Sequence, residues 1–240
     1  MDVWFSARLN HVSKILEHIE EAEAVQDILA ILEAPHLELD TISRMHLYAE
    51  TLPKAQEYPL TAAQRNLHFL WDYFDKSPLT LIIQFSIPFR RMIAERLFGR
   101  CGDAFIAEEN FRFNFGQLLN VGDRVFINRN VFIDTKGGVT LGNGVAIAED
   151  VRIFTHRHSE SSHIERTYHP VVIGEYAKIY SGATIFPGVT IGKQAIVAAG
   201  SLVAHDVPDN MVVAGRPAKI LRERRTDGKQ GDDLDHIWLY

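Results

Sequence analysis

Four of the eleven histidines fall within fourteen residues: His156, His158, His163 and His169. Imidazole is the side chain whose proton exchange lies closest to neutral pH. A hydroxyl is scarcely ionised at pH 7, so it attacks a carbonyl only if its proton leaves at the same time. A histidine within reach supplies that base, typically worth about 10²–10⁴ in rate. A lone histidine is more often a surface or structural residue, so the elements that hold these four decide their meaning.

Those elements are legible as a repeat. Every sixth residue from Val121 reads Val121, Ile127 and Ile133, then, past a two-residue insertion, Leu141, Ile147 and Ile153. Past a longer insertion the frame resumes at Ile173, Ile179, Ile185, Ile191, Val197 and Val203. All twelve are aliphatic, and the residue four places later is small or aliphatic except at Arg157, where the longer insertion begins. A period of six is neither helical nor a plain alternation. It fits a parallel β-helix in which three short strands make a coil of eighteen residues, the aliphatic residue points into a narrow prism and its companion sits where the chain turns. Twelve hexapeptides make four coils, and Phe105 to Asn120 adds an irregular first one. The histidines occupy the longer insertion, a loop thrust out of an otherwise smooth prism, and such loops are where function concentrates.

The front half reads as helical. Val12, Ile15, Leu16, Ile19, Ala22, Val25, Ile28, Leu29 and Leu32 follow helical spacing, and Pro35 closes the segment. Thr61-Ala-Ala-Gln64 is a capping box opening a helix through Phe74. A further helix is expected over 89–98, with Pro88 at its start. The organisation is therefore a helical N-terminal region over 1–104, a prism over 105–222, and a polar, acidic, loose tail over 223–240. At 240 residues, 46% hydrophobic and 23% charged, the chain is neither disordered nor collagen-like. Its longest apolar stretch, Leu79 to Phe89, is broken by Gln84 and Pro88 and is too short to span a bilayer. No secretory signal is visible, and a single cysteine, Cys101, excludes an internal disulfide framework; together these point to the cytoplasm. A net charge of −6 gives no electrostatic case for nucleic acid.

The repeat resembles the hexapeptide-repeat acyltransferases, whose coils form a left-handed β-helix. Phe111-Arg-Phe-Asn-Phe-Gly116, Asn120-Val-Gly122 and Phe126-Ile-Asn-Arg-Asn130 are similar to the barrel entry of the maltose, galactoside and nodulation-factor O-acetyltransferases. So are Val151-Arg-Ile-Phe-Thr-His-Arg-His158, Pro170-Val-Val-Ile-Gly174, Phe186-Pro-Gly-Val-Thr-Ile-Gly192, Ala199-Gly-Ser201 and Val213-Ala-Gly-Arg-Pro-Ala-Lys219. Leu47-Tyr-Ala-Glu50, Arg65 and Tyr73-Phe74 faintly resemble the helical module that precedes the barrel in the sugar enzymes, which places that module at 43–104. Residues 1–42 have no counterpart in it.

The resemblance implies an acetyl-CoA-dependent O-acetyltransferase acting on a hydroxyl of a sugar or glycan-type acceptor. His158 falls on the family's catalytic base, Asn128 on the asparagine that binds the acceptor hydroxyl, and Glu50 on an aspartate that contacts sugar and base. Ser181 offers a backbone N–H or hydroxyl to the oxyanion, and Ala199 offers backbone to the pantetheine amides. Lys219 and Arg222 meet the CoA phosphates, although a charged terminal helix explains those two nearly as well. Lys178 stands where the family usually has an aromatic wall of the acceptor tunnel. No metal is expected. The family's assembly implies a homotrimer with active sites between adjacent prisms. Three other readings share the architecture. A serine O-acetyltransferase also has a helical front, but its Asp-His step reads Asp134-Thr135 here. A γ-class carbonic anhydrase binds zinc through three histidines, two of them five apart like His158 and His163, but Asn128 and Asp134 occupy the places of the third. A β-helix can also serve only as an assembly subunit.

Overall fold

In a computed structural model, residues 3–234 are described, and they divide into two compact units between Leu97 and Phe98. The first unit is built from five helices: α1 (Val3–Ile15), α2 (Ala22–Ile31), α3 (Leu39–Arg44), α4 (Ala62–Phe74) and α5 (Ile83–Leu97). The apolar spacing predicted through Leu32 is interrupted: α1 tightens into a 3₁₀ turn at Leu16–His18 before α2 begins. Val12, Leu16, Ile19, Val25, Ile28, Leu29 and Leu32 are nonetheless all buried. The break is tolerated because the Asn66 amide donates to the Ile19 carbonyl at 2.7 Å, giving a partner to a backbone group the break would orphan. The capping box forms as expected: Gln64 N–H donates to Thr61 Oγ1 at 3.2 Å and Thr61 N–H to Gln64 Oε1 at 3.0 Å. Helix α5 starts at Ile83 rather than 89, with Pro88 inside it.

The second unit is a parallel β-solenoid of three faces. The first face stacks Arg100–Cys101, Leu119–Val121, Val139–Leu141, Val171–Ile173 and Thr190–Ile191. The second stacks Ile106–Ala107, Phe126–Ile127, Ala146–Ile147, Lys178–Ile179, Ile196–Val197 and Met211–Gly215, and Ala218–Glu223 closes it as an antiparallel strand. The third stacks Arg112–Phe113, Phe132–Ile133, Arg152–Ile153, Thr184–Ile185 and Leu202–Val203. All twelve aliphatic frame residues end one of these short strands, with relative exposures of 0–2%. Where the first face turns into the second or the second into the third, the chain often bends three residues after the frame position. There Arg124, Asn130, Asp150, Tyr176 and Gln194 adopt φ of 54–59°, a left-handed conformation uncommon outside glycine. The irregular first coil is real and aromatic: Phe105, Phe111 and Phe115 are fully buried, and Phe98 packs edge-on against Phe105 and Phe113. Since Arg100–Cys101 already pairs with Leu119–Val121, the solenoid takes in residues upstream of the expected start at 105.

The longer insertion leaves the third face after Ile153 and returns to the first at Val171. It forms an antiparallel hairpin, His156–His158 against Arg166–Tyr168. Residues expected to be loose are bonded in part: Arg224 donates to the carbonyls of Tyr176 at 3.1 Å and Gln194 at 2.9 Å, and Asp232 meets Arg124 and the Tyr176 hydroxyl. Residues 235–240, the end of that tail, lie outside the described residues.

Candidate active site

The hairpin carries the histidines because coil stacking holds its base. At Gly137 a Cβ would lie 2.6 Å from the Thr155 carbonyl oxygen, so this glycine permits the close approach of the strand leading into the hairpin. Thr155 is fully buried; its hydroxyl donates to the Asp134 carbonyl at 2.7 Å and accepts from Gly137 N–H at 2.7 Å. His158 is exposed. Its Nδ1 lies 2.8 Å from the His163 carbonyl, which can only accept, so Nδ1 is the donor and in the neutral ring Nε2 keeps its lone pair. The His163 ring stacks on it at 4.0 Å and 4°. His156, two residues earlier, has Nδ1 2.5 Å from Asp134 Oδ2. His169 Nε2 is 3.0 Å from Thr167 Oγ1. Among the described residues no group of three or more His, Cys, Asp or Glu side chains converges as metal ligands. A cleft of about 690 Å³ opens beside His156, lined also by Phe154, Arg157, Phe186, Pro187, Ala204 and His205. All seven lie between the third and first faces.

Asn128, Ser181 and Ala199 lie at a different corner, between the second and third faces, on three coils. A residue that no sequence motif singles out joins the first two. Glu149, on the intervening coil, accepts from Asn128 Nδ2 at 2.9 Å on one oxygen and from the Ser181 hydroxyl at 2.8 Å on the other. Its own backbone N–H and the Ser181 hydroxyl, helped by Arg129 and Asn128, outweigh burial and hold its carboxyl below the usual value. The Ser181 hydroxyl is thus committed to Glu149, whereas its backbone N–H has no acceptor among the described residues. Neither the N–H nor the carbonyl of Ala199 has a backbone partner among the described residues. The sequence signal for Glu149 is its place in the repeat. It stands two residues after the frame residue Ile147, as Ser181 does after Ile179 and Ala199 after Val197.

Lys219 and Arg222 are exposed, and the segment that carries them is the strand Ala218–Glu223 rather than a terminal helix. Lys219 lies opposite Ala214 and Arg222 opposite Val212. Lys178 is half-buried on the second face. Glu50 belongs to the helical unit, where it is engaged: Arg65 binds it through Nε and Nη2 at 2.7–3.0 Å, and Leu47 N–H donates to it at 2.9 Å. Burial pushes the Glu50 carboxyl up, but Arg65, Leu47 and His46 together bring it below its ordinary value. No described helix is long and apolar enough to cross a membrane.

No protein-family model matches the chain. It is 37% identical over 140 residues to a Saccharomyces cerevisiae protein named as an acetyltransferase, covering 56% of this chain and 70% of that one. It is 31% identical over 138 residues to the galactoside O-acetyltransferase of Escherichia coli, covering 56% of this chain and 68% of the relative. Among solved structures, a hexapeptide-repeat acetyltransferase of Vibrio cholerae complexed with acetyl coenzyme A matches with a TM-score of 0.60 and 27% identity, over 79% of this chain and all of that one.

Proposed function

The chain belongs to the hexapeptide-repeat acetyltransferases, CoA-dependent acyltransferases with acetyl-CoA as donor, and from that premise we propose that it moves the acetyl group to a hydroxyl of a sugar or glycan-type acceptor with His158 as general base. The observation that carries this reading is the contact of His158 Nδ1 with the His163 carbonyl at 2.8 Å. With Nδ1–H donated to the His163 carbonyl, Nε2 takes the acceptor's proton as its oxygen attacks the thioester carbonyl. The Ser181 N–H, without an acceptor among the described residues, stabilises the oxyanion. The tetrahedral adduct then expels the CoA thiolate, which takes the proton back from His158, so a C–O bond replaces a C–S bond. Cys101 precedes the histidine loop and plays no part as an acyl carrier. Asn128 binds the acceptor hydroxyl, Ala199 pairs with pantetheine, and Lys219 and Arg222 meet the phosphates.

The corner arrangement supports a homotrimer. His158 sits between the third and first faces, whereas Asn128, Ser181 and Ala199 sit between the second and third. A neighbouring copy whose histidine loop reaches this second corner brings both halves round one thioester. The test is a thiol-release assay with acetyl-CoA over a panel of sugar and glycan acceptors, followed by His158→Ala on the best one. Turnover falls by about 10²–10⁴ with CoA affinity nearly intact. Full turnover in that variant refutes the base assignment.

A further inference from the structure

Resting on His158 as the base, we propose that His156 and Asp134 are positioning residues that brace it against the inside of the prism. His156 and His158 are alternate residues of one strand and share a face of the hairpin, while Arg157 turns the other way and donates to the Pro187 carbonyl at 3.1 Å. Asp134 is fully buried on the preceding coil. Its Oδ2 accepts from His156 Nδ1 at 2.5 Å and from Thr155 N–H at 3.1 Å. Its Oδ1 accepts from Lys136 N–H at 3.3 Å and has the Lys136 ammonium at 3.4 Å. An ionised carboxylate only accepts, so His156 is fixed in tautomer and in plane by a group that is itself held on every side. Among the described residues the base has no such anchor of its own. His158 is exposed, and the His163 carbonyl and ring that touch it belong to the same hairpin. The His156 ring, its centroid 5.2 Å from that of His158 and its plane inclined at 73°, is the side-chain contact that connects the base to a fixed carboxylate. A general base works only when its lone pair meets the hydroxyl in near-attack geometry, and small misplacements there carry large losses in rate.

The chain Asp134–His156–His158 crosses two coils and is built from residues 22 and 2 positions apart, so it exists only when the coils stack. The role is to orient, and it predicts a kinetic signature that a purely structural pair would not give. Asp134→Asn and His156→Asn should each lower kcat about tenfold and leave the KM for acetyl-CoA within about twofold. The second variant guards against misfolding, because an asparagine amide there can still donate to Asp134. In a His158→Ala background neither substitution should lower the residual rate further, since there is no longer a base to orient. Full kcat in both single variants, with unchanged thermal midpoints, overturns the proposal. Losses that multiply with that of His158→Ala overturn it too, by showing a role independent of the base. Turnover that survives His158→Ala instead overturns the assignment of His158 on which the proposal rests.

Discussion

Glu149 offers a quantitative test of the second half of the site. Its two oxygens accept one bond from Asn128 at 2.9 Å and one from the Ser181 hydroxyl at 2.8 Å. Each bond at a half-exposed carboxylate contributes about 0.5–1 kcal/mol net, so Glu149→Ala should lower stability by about 1–2 kcal/mol. It should also free the Asn128 amide and lower kcat/KM about tenfold, equivalent to about 1.4 kcal/mol in the transition state. Glu149→Gln behaves differently for a geometric reason. Asn128 Oδ1 already accepts from Arg129 N–H at 2.8 Å, so the asparagine amide stays oriented and donates to the new amide oxygen. The new NH₂ group then donates to Ser181, whose hydroxyl can rotate to accept. The glutamine variant therefore rebuilds both contacts, and its kcat/KM should stay within about threefold of wild type. The carboxyl is held below its ordinary value in the folded protein, so its contribution to stability is present above that ordinary value and lost as pH falls through the lowered one. The stability gap between wild type and Glu149→Ala should accordingly narrow as pH falls below the ordinary value of 4.5, read from chemical denaturation at several pH values. Steady-state kinetics on the best acceptor supplies the rate arm. Full activity of Glu149→Ala would refute the idea that this carboxylate aligns Asn128 and Ser181; equal losses in the alanine and glutamine variants would show that charge rather than hydrogen-bond geometry matters.

Two further outcomes follow from the remaining residues. Light scattering at micromolar concentration should give about 82 kDa, three times the 27.2 kDa chain, and a monomer would remove the shared site. Arg222→Ala should raise the KM for acetyl-CoA more than it lowers kcat, because it removes binding remote from the reacting carbon; an unchanged KM would leave Arg222 as an exposed strand charge.

What the sequence reveals here depends on how far apart the interacting residues lie. The six-residue frame is a local pattern repeated many times, so each inward aliphatic residue, from Val121 to Val203, can be read directly and is buried. The Thr61–Gln64 capping box spans three residues and is equally plain. The helix break near Ile19 is not, because it is tolerated through Asn66, 47 residues away. The start of α5 is obscured for a local reason: a proline reads locally as a helix start, whereas Pro88 stands inside α5, past its first turn, where it cannot donate to the Gln84 carbonyl. Lys219 and Arg222 read equally well as helix charges, and only pairing with Met211–Gly215 makes their segment a strand. The site shows the same division. The histidine cluster stands out as an insertion, and the motif around His158 is contiguous. The partners that give these side chains their chemical state come from neighbouring coils: Asp134 for His156, and Glu149 for Asn128 and Ser181. Those pairs depend on coil register across two insertions, which no short window contains.

The prism assigns a separate task to each of its three corners. The corner between the first and second faces is covered by the chain's own C-terminal segment: Arg224 bonds to carbonyls of two successive coils, Gly231 N–H donates to Gln194 Oε1 at 2.9 Å, and Asp232 reaches Arg124 and Tyr176. The corner between the third and first faces carries the histidine hairpin and its adjoining cleft. The corner between the second and third faces presents the Asn128–Glu149–Ser181 ladder and the backbone of Ala199, unpaired among the described residues. On the proposed roles, the base on one corner and the oxyanion donor on another are complementary halves of one reaction. In the proposed assembly the histidine corner of each copy joins the ladder corner of the next. Such a contact is heterologous, and it closes without leftover halves only as a ring. In the homotrimer proposed above, each copy is related to the next by a third of a revolution. Three active sites then form together, and a substitution that separates the copies removes all three while leaving each prism folded.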